Sequence, residues 1–288
     1  MSNRMEKWVN LGNTYFLIQR QAIHTILLAL CKSTELKDQV YLKGGLLLGI
    51  GYGSSRYTTD IDISNQSLFV EGGFDEKAFD KNLRLALLEL NYDIRLKTQT
   101  VKRQPKTIAK YNSYQITVGY VQTTAAANQL ARLDKGLAST VIKMDYSFNE
   151  GVHDESEITV FGEEEIKTYG LLTLLAEKYR AILQQLTRNQ GSRVSGRRQD
   201  VYDLHYLITG DHVLSVDKEA LKQIFIDKCE NRGLEGVNEL SLDNPEVKKR
   251  AGTDYGTLKD EIQGELPDFD EAFDVVRNFY KSFFEDVS

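Results

Sequence analysis

The chain has 288 residues, 41% of them hydrophobic and 27% charged, with a formal net charge of −6. That is globular composition for two ordinary domains or one large one; it argues against a disordered chain and against a generally basic nucleic-acid binder, and leaves room for a local basic face. Two distant cysteines, Cys31 and Cys229, and four scattered histidines fit neither a disulfide framework nor a zinc motif. They suit a reducing, cytoplasmic compartment, and no apolar run approaches the roughly 18 residues of a membrane span, so no membrane partner is expected.

In chain order, Arg4 to about Lys32 reads as helix, with Leu11, Phe16, Ile23 and Leu27 near a helical repeat. Gln39 to Leu42 is a short buried strand, and Leu46 to Tyr52 is one or two helical turns weakened by Gly49 and Gly51. Asp60 to Ser64 alternates polar and apolar like a half-buried strand. Phe74 to Asn91 is an amphipathic helix, with Phe79, Leu83, Leu87 and Leu90 roughly on one face. Tyr92 to Val101 and Tyr111 to Val121 read as strands joined through a turn at Pro105. Ser139 to Phe148 and Ile158 to Phe161 follow as strands.

From Gly162 the pattern turns helical: Glu163 to Leu186, about Arg198 to Ile208, Asp217 to Cys229, about Pro245 to Ile262, and Asp268 to Phe284. Gly191, Gly196, Gly210, Gly233 and Pro267 punctuate these segments. The expected fold class is α+β: a mixed-sheet domain over residues 1–162, then a helical bundle over 163–288.

Chemistry concentrates between Tyr41 and Ser64. Asp60 and Asp62 are two apart, so on a strand both carboxylates project from one face. Unpaired, they repel and raise each other's pKa; a hard divalent cation, most often Mg²⁺, is the simplest stabiliser, with Mn²⁺ an alternative. Gly44 and Gly45 allow close backbone approach to a ligand before a helix N-terminus that favours anions. Lys43 and Arg56 add cationic donors for phosphate oxygens. Each part alone has an ordinary reading: a strand-end Asp pair, a turn, a surface ion pair. Together they are the equipment of metal-assisted phosphoryl or nucleotidyl transfer.

The pattern of Lys43, Gly44 and Gly45 followed by Arg56, Thr58, Asp60 and Asp62 resembles the first motif of the AbiEii/AbiGii-type nucleotidyltransferase toxins, in the DNA polymerase β-like superfamily. The resemblance implies that Asp60 and Asp62 bind Mg²⁺ and orient a nucleoside triphosphate for attack at its α-phosphate, with pyrophosphate leaving. It also implies a third carboxylate on a neighbouring strand, matched by Asp145, which would bind metal or accept the proton of the attacking hydroxyl. Ala176-Glu177-Lys178 and the run from Arg197 through Asp200, Tyr202 and Asp203 to Leu204 match the family's later motifs.

Lys178 is unusual in any case, because Leu171, Leu174, Leu175 and Ile182 share its helix face. It either snorkels from the stripe or faces a phosphate. By resemblance Asp200 is the active-site candidate, orienting Lys178 or Arg56, while Asp203 is a structural ion-pair or capping residue. His205 reads as packing. One departure stands out: where the superfamily often has a hydroxyl at or after the second glycine, this chain has Gly45 and Leu46; Ser54 or Ser55 is a candidate substitute.

From Ile94 to Leu133 there is no Asp or Glu, while Arg95, Lys97, Lys102, Arg103, Lys106, Lys110 and Arg132 occur with Tyr111, Tyr114 and Tyr120. Arg188 to Arg198 is also free of acidic residues. Such stretches suit phosphate tracking and base stacking, or equally a basic hairpin facing acidic helices. The expected activity is Mg²⁺-dependent transfer of NMP from an NTP to an RNA acceptor, including tRNA, as the toxin of a toxin–antitoxin or phage-defence operon with a cognate antitoxin. The alternatives are nucleotidylation of a protein or small molecule, and a catalytically silent nucleotide-binding partner protein.

Overall fold

The computed structural model describes residues 4–11, 16–107, 110–186 and 197–285. It divides into two compact units. The first comprises residues 1–53, 58–152 and 156–168; the second comprises 54–57, 153–155 and 169–288.

The first unit is built on a mixed sheet of seven strands: β1 (Tyr41–Lys43), β2 (Asp60–Ser64), β3 (Ile94–Gln104), β4 (Ser113–Gln122), β5 (Val141–Ser147), β6 (Glu155–Phe161) and β7 (Glu164–Tyr169), in the order β3-β4-β5-β2-β1-β7-β6. β2 runs antiparallel to β1 and parallel to β5, and β4 runs antiparallel to both of its neighbours, β3 and β5. Alternation decides the faces. Ile61 and Ile63 of β2, Ile142, Met144 and Tyr146 of β5, and Ile116 and Val118 of β4 are buried on one side. Helices α2 (Leu17–Cys31) and α4 (Glu76–Leu90) pack on each other and on strands of this sheet.

The opposite side is polar and in register. Asp60, Lys143, Thr117 and Thr100 form one row across β2, β5, β4 and β3. Asp62, Asp145, Gln115 and Lys102 form the next.

α4 starts at Asp75, whose carboxylate accepts from the N–H groups of Lys77 and Ala78, and ends at Asn91 in the left-handed region. Its buried residues are Phe79, Leu83 and Ala86. The expected single helix from Arg4 to Lys32 is instead α1 (Arg4–Val9) and α2, with Asn10 and Leu11 turning out of α1. α3 (Gly44–Tyr52) is a full helix despite its glycines, ending at Gly53 with φ +74°. A short helix not expected from the sequence, α5 (Ala127–Asp134), follows β4.

The expected helix from Glu163 to Leu186 is also divided. Its first part is strand β7, and the helix proper is α6 (Leu171–Leu183). Three consecutive glutamates favour helix by propensity. Gly162, at φ +58°, reverses the chain there, and pairing with β1 overrides propensity.

Described by itself, the second unit carries α6, α7 (Arg198–Thr209), α8 (Lys218–Asn231), α9 (Pro245–Ala251) and α10 (Phe269–Ser282). α6 packs on α7 and α8, and α7 on α10. Asp154 anchors the start of α6 by accepting from the N–H groups of Leu172 and Thr173. The expected helix from Pro245 to Ile262 stops at Ala251; Asp254 adopts φ +58°, and a 3₁₀ segment (Tyr255–Asp260) follows. Ile262 then bridges to Arg56 as extended backbone.

Candidate active site

In the first unit, β1 leads directly into α3, and β2 pairs antiparallel to β1 with Lys43 opposite Asp62. The register sets the first turn of α3 beside the carboxylate pair of β2. Gly44 shows how close the approach is. Its φ is +71°, and a Cβ there would collide with Asp62 Oδ2. Both features demand glycine. Gly45 continues the first turn, and Lys43 at the N-cap makes no side-chain capping bond. The orphan N–H groups of a helix start, with the positive end of its dipole, are suited to an anion.

Asp62 is also opposite Asp145 on β5. Asp60, Asp62 and Asp145 therefore share one face on two adjacent strands, and Asp60 is the most exposed of the three. Burial raises the Asp145 pKa and the nearby Asp60 charge raises it further, with Lys43 and Lys143 pulling the other way. Among the described residues, no three His, Cys, Asp or Glu side chains are grouped so as to hold a metal ion. The donor set is nonetheless that of a hard divalent cation: carboxylate oxygens only, two of whose carriers already interact as like charges. Lys43 Nζ lies 3.7 Å from Glu150 Oε1, and Glu150 is 7% exposed. Sequence reading did not identify Glu150 as its partner.

Arg56, Lys178, Asp200 and Asp203 meet in the second unit. Arg56 Nε and Nη2 donate to Asp203 Oδ1 and Oδ2, both at 2.8 Å. Lys178 Nζ donates to Asp203 Oδ2 at 2.6 Å and to Asp200 Oδ1 at 3.1 Å. Arg56, Lys178 and Asp203 are buried, and Asp200 is the more open end of the network. Burial alone would discharge all three. Instead Asp203 holds the Arg56 pKa up, Asp203 and Asp200 raise that of Lys178, and the two cations hold Asp203 below the usual carboxylate range.

Lys178 neither snorkels nor stands open to solvent; it is an internal counter-ion. Asp200 touches Lys178, while Arg56 is held by Asp203. The candidate substitutes for the missing hydroxyl are also engaged: Ser54 Oγ accepts from the Arg56 N–H at 3.3 Å, and Ser55 Oγ lies 3.2 Å from Tyr202 Oη. Leu46 is fully buried.

The basic stretch is sorted by the fold. Arg95 and Lys97 reach Asp134 at the end of α5, through its carboxylate and its carbonyl respectively. Arg103 pairs with Glu71, and Arg132 donates to the Leu137 carbonyl. Tyr114 is buried and donates to the Val70 carbonyl, so it serves packing and is withheld from base stacking. Lys102 and Lys143 are exposed on the carboxylate face. Of the second basic stretch, residues 188–196 lie outside the described residues, and Arg198 pairs with Glu261.

The fold is shared with solved structures. The crystal structure of JHP933 from Helicobacter pylori matches with a TM-score of 0.51 at 13% identity, covering 94% of this chain and 93% of that one. A crystal structure of a "putative nucleotidyltransferase" from H. pylori matches with a TM-score of 0.52 at 14% identity, covering 95% and 96%. No curated protein matches. The family profile described as nucleotidyl transferase AbiEii toxin, type IV toxin–antitoxin system, matches residues 26–275, a span that takes in the carboxylate strands, the glycine turn and the buried charge network. The chain is a nucleotidyltransferase and belongs to the AbiEii toxin family.

Proposed function

We propose that the protein transfers NMP from an NTP to an RNA acceptor, with tRNA as the leading case, in a Mg²⁺-dependent reaction. The observation that carries this reading is the register that sets Asp60, Asp62 and Asp145 on one face beside the start of α3. Asp60, Asp62 and Asp145 would hold the cation, which when bound neutralises the carboxylates and the triphosphate charge. Lys43, Gly44 and Gly45 bind the triphosphate through the helix start and the lysine charge. The acceptor hydroxyl oxygen bonds to the α-phosphorus, the bond from that phosphorus to the pyrophosphate oxygen breaks, and Asp145 receives the hydroxyl proton.

In this reading the seven-stranded sheet, through β7, belongs to the nucleotidyltransferase domain, and the helices from α6 onward form the second domain. Lys178 and Asp200 take the catalytic roles that the family resemblance implies, and Arg56 the nucleotide-binding one. Two buried cations held by two carboxylates are costly to build, and apolar packing of the same volume often serves stability better; such networks therefore invite a functional reading. The biological role is growth arrest as a cytoplasmic toxin, in phage defence, opposed by an antitoxin. Support for the toxin role comes from family membership.

The test is incubation with each labelled NTP, Mg²⁺ and total RNA or total protein, comparing wild type with Asp60→Ala. Label entering tRNA with wild type alone is the expected result. Label entering protein would replace the acceptor assignment, and NTP binding without any transfer would leave a silent binder.

A further inference from the structure

The two rows of the polar sheet face continue past the carboxylates. Beyond Asp60 come Lys143, Thr117 and Thr100; beyond Asp145 come Gln115 and Lys102. Lys143 and Lys102 are exposed, and Thr100 donates to Thr117 across the strands at 3.1 Å. The face has a definite end. At Gly119, the next position of β4 with this orientation, Gln99 and Ala138 stand where a side chain would be. Gln99 sits where the β3–β4 register shifts, between Thr98 and Thr100. Between the carboxylates and that end, these rows present ammonium, hydroxyl and amide groups, the chemistry that holds a phosphodiester backbone.

Direction decides what this face is for. In displacement at phosphorus the attacking and leaving oxygens stand roughly in line. The glycine turn and α3 lie on the β1 side of Asp62; β5, β4 and β3 lie on the other side. A triphosphate held at the start of α3 places its leaving group on the β1 side. The acceptor must then arrive over β5, β4 and β3.

We propose that this polar face is the acceptor platform, on which Lys143 beside Asp60 and Lys102 on β3 bind backbone phosphates of the RNA that receives the nucleotide. The inference rests on the RNA reading above and adds to it the residues and the direction of approach. The two lysines are separated by β4, at about 4.8 Å per strand spacing. They can therefore engage different phosphates of one strand. Three strands, β4, β5 and β2, separate Lys102 from β1, which places it on the acceptor's route and away from the triphosphate at the start of α3.

The test measures KM for RNA, KM for NTP and the salt dependence of RNA binding in wild type, Lys102→Ala, Lys143→Ala and the double variant. Lys81→Ala is the charge-matched control, because Lys81 is exposed on α4, the helix of the apolar side. Removing one phosphate contact is expected to weaken RNA binding roughly fivefold at 0.1 M salt, and to reduce the slope of log K against log salt by about 0.7. The double variant should lose about twice that slope, and Lys81→Ala should match wild type. The Lys102→Ala effect should fall on KM for RNA more than on KM for NTP. Urea midpoints equal to wild type would confirm that the variants fold.

RNA affinity and salt slope unchanged in the double variant, with wild type labelling RNA, would overturn the platform and leave the RNA reading standing. A Lys143→Ala effect confined to KM for NTP would reassign that lysine to the triphosphate and overturn its place here. Wild type labelling protein and no RNA would overturn both readings.

Discussion

Gly44 carries two constraints at one residue. Its backbone is in the left-handed region, which costs a residue with a side chain roughly 1–2 kcal/mol, and its missing Cβ leaves room for Asp62 Oδ2. Gly44→Ala is therefore expected to displace the Asp62 carboxylate while the protein remains folded. A displacement of about 1 Å in reacting groups costs on the order of 10²-fold in rate. Transfer assays alongside thermal denaturation check this; a variant with wild-type kcat would show that the close approach has no catalytic consequence. The glycine pair was legible in the sequence as a point of close backbone approach. That the neighbour would be Asp62 was not, because it follows from the pairing of Lys43 with Asp62, a long-range register that no local pattern encodes.

At the scale of elements, the buried charge network ties the 54–57 segment to α6 and α7 within the second unit. Removing one member strands the others. Asp203→Ala leaves Arg56 and Lys178 buried without their shared acceptor and is expected to cost about 3–5 kcal/mol. Asp200→Ala, at the open end, should cost less. Urea denaturation separates the two, and a loss below about 1 kcal/mol for Asp203→Ala would show that the network is not coupled to folding.

The pH dependence follows from the signs. The Asp203 pKa is lowered from an ordinary 3.8, so its contribution is present above that value and is lost as pH falls through the lower folded value. The Lys178 pKa is raised from 10.5, so its contribution is complete below 10.5 and is lost as pH rises through the higher folded value. The network's contribution is thus expected to be flat between those limits and to fall at both ends. Stability that declined between pH 5 and 9 in wild type but not in Asp203→Ala would contradict this.

The sequence marked Lys178 as anomalous on an apolar helix face, which its burial and two carboxylate partners explain. It could not show that Arg56, far away in the chain, takes both oxygens of the same Asp203. Strand β2 was legible by alternation, and β5 fell within the strand expected from Ser139 to Phe148. β7 and α5 were not: glutamates of high helix propensity form the first, and only one buried residue, Leu133, marks the second.

Across the whole molecule, composition pointed away from a basic nucleic-acid protein, yet cations are exposed on the carboxylate face. Averaged charge hid this, because Arg95, Lys97 and Arg103 are taken up by local partners while Lys102 and Lys143 are exposed beside the acidic rows. The aspartate pair and the glycine turn were legible as a site because both are local patterns. Their convergence with Asp145 depends on strand order, with β5 beside β2 across more than 70 residues of chain.

In the proposed reaction these carboxylates direct attack to the α-phosphorus of an NTP. The most direct measurement follows two labels in parallel, one at the α-phosphate and one at the γ-phosphate, with wild type and Asp60→Asn. With wild type, α-label is expected to enter the acceptor and γ-label to leave as pyrophosphate; with Asp60→Asn, neither is expected. Entry of γ-label into the acceptor, or undiminished α-label transfer by Asp60→Asn, would contradict it.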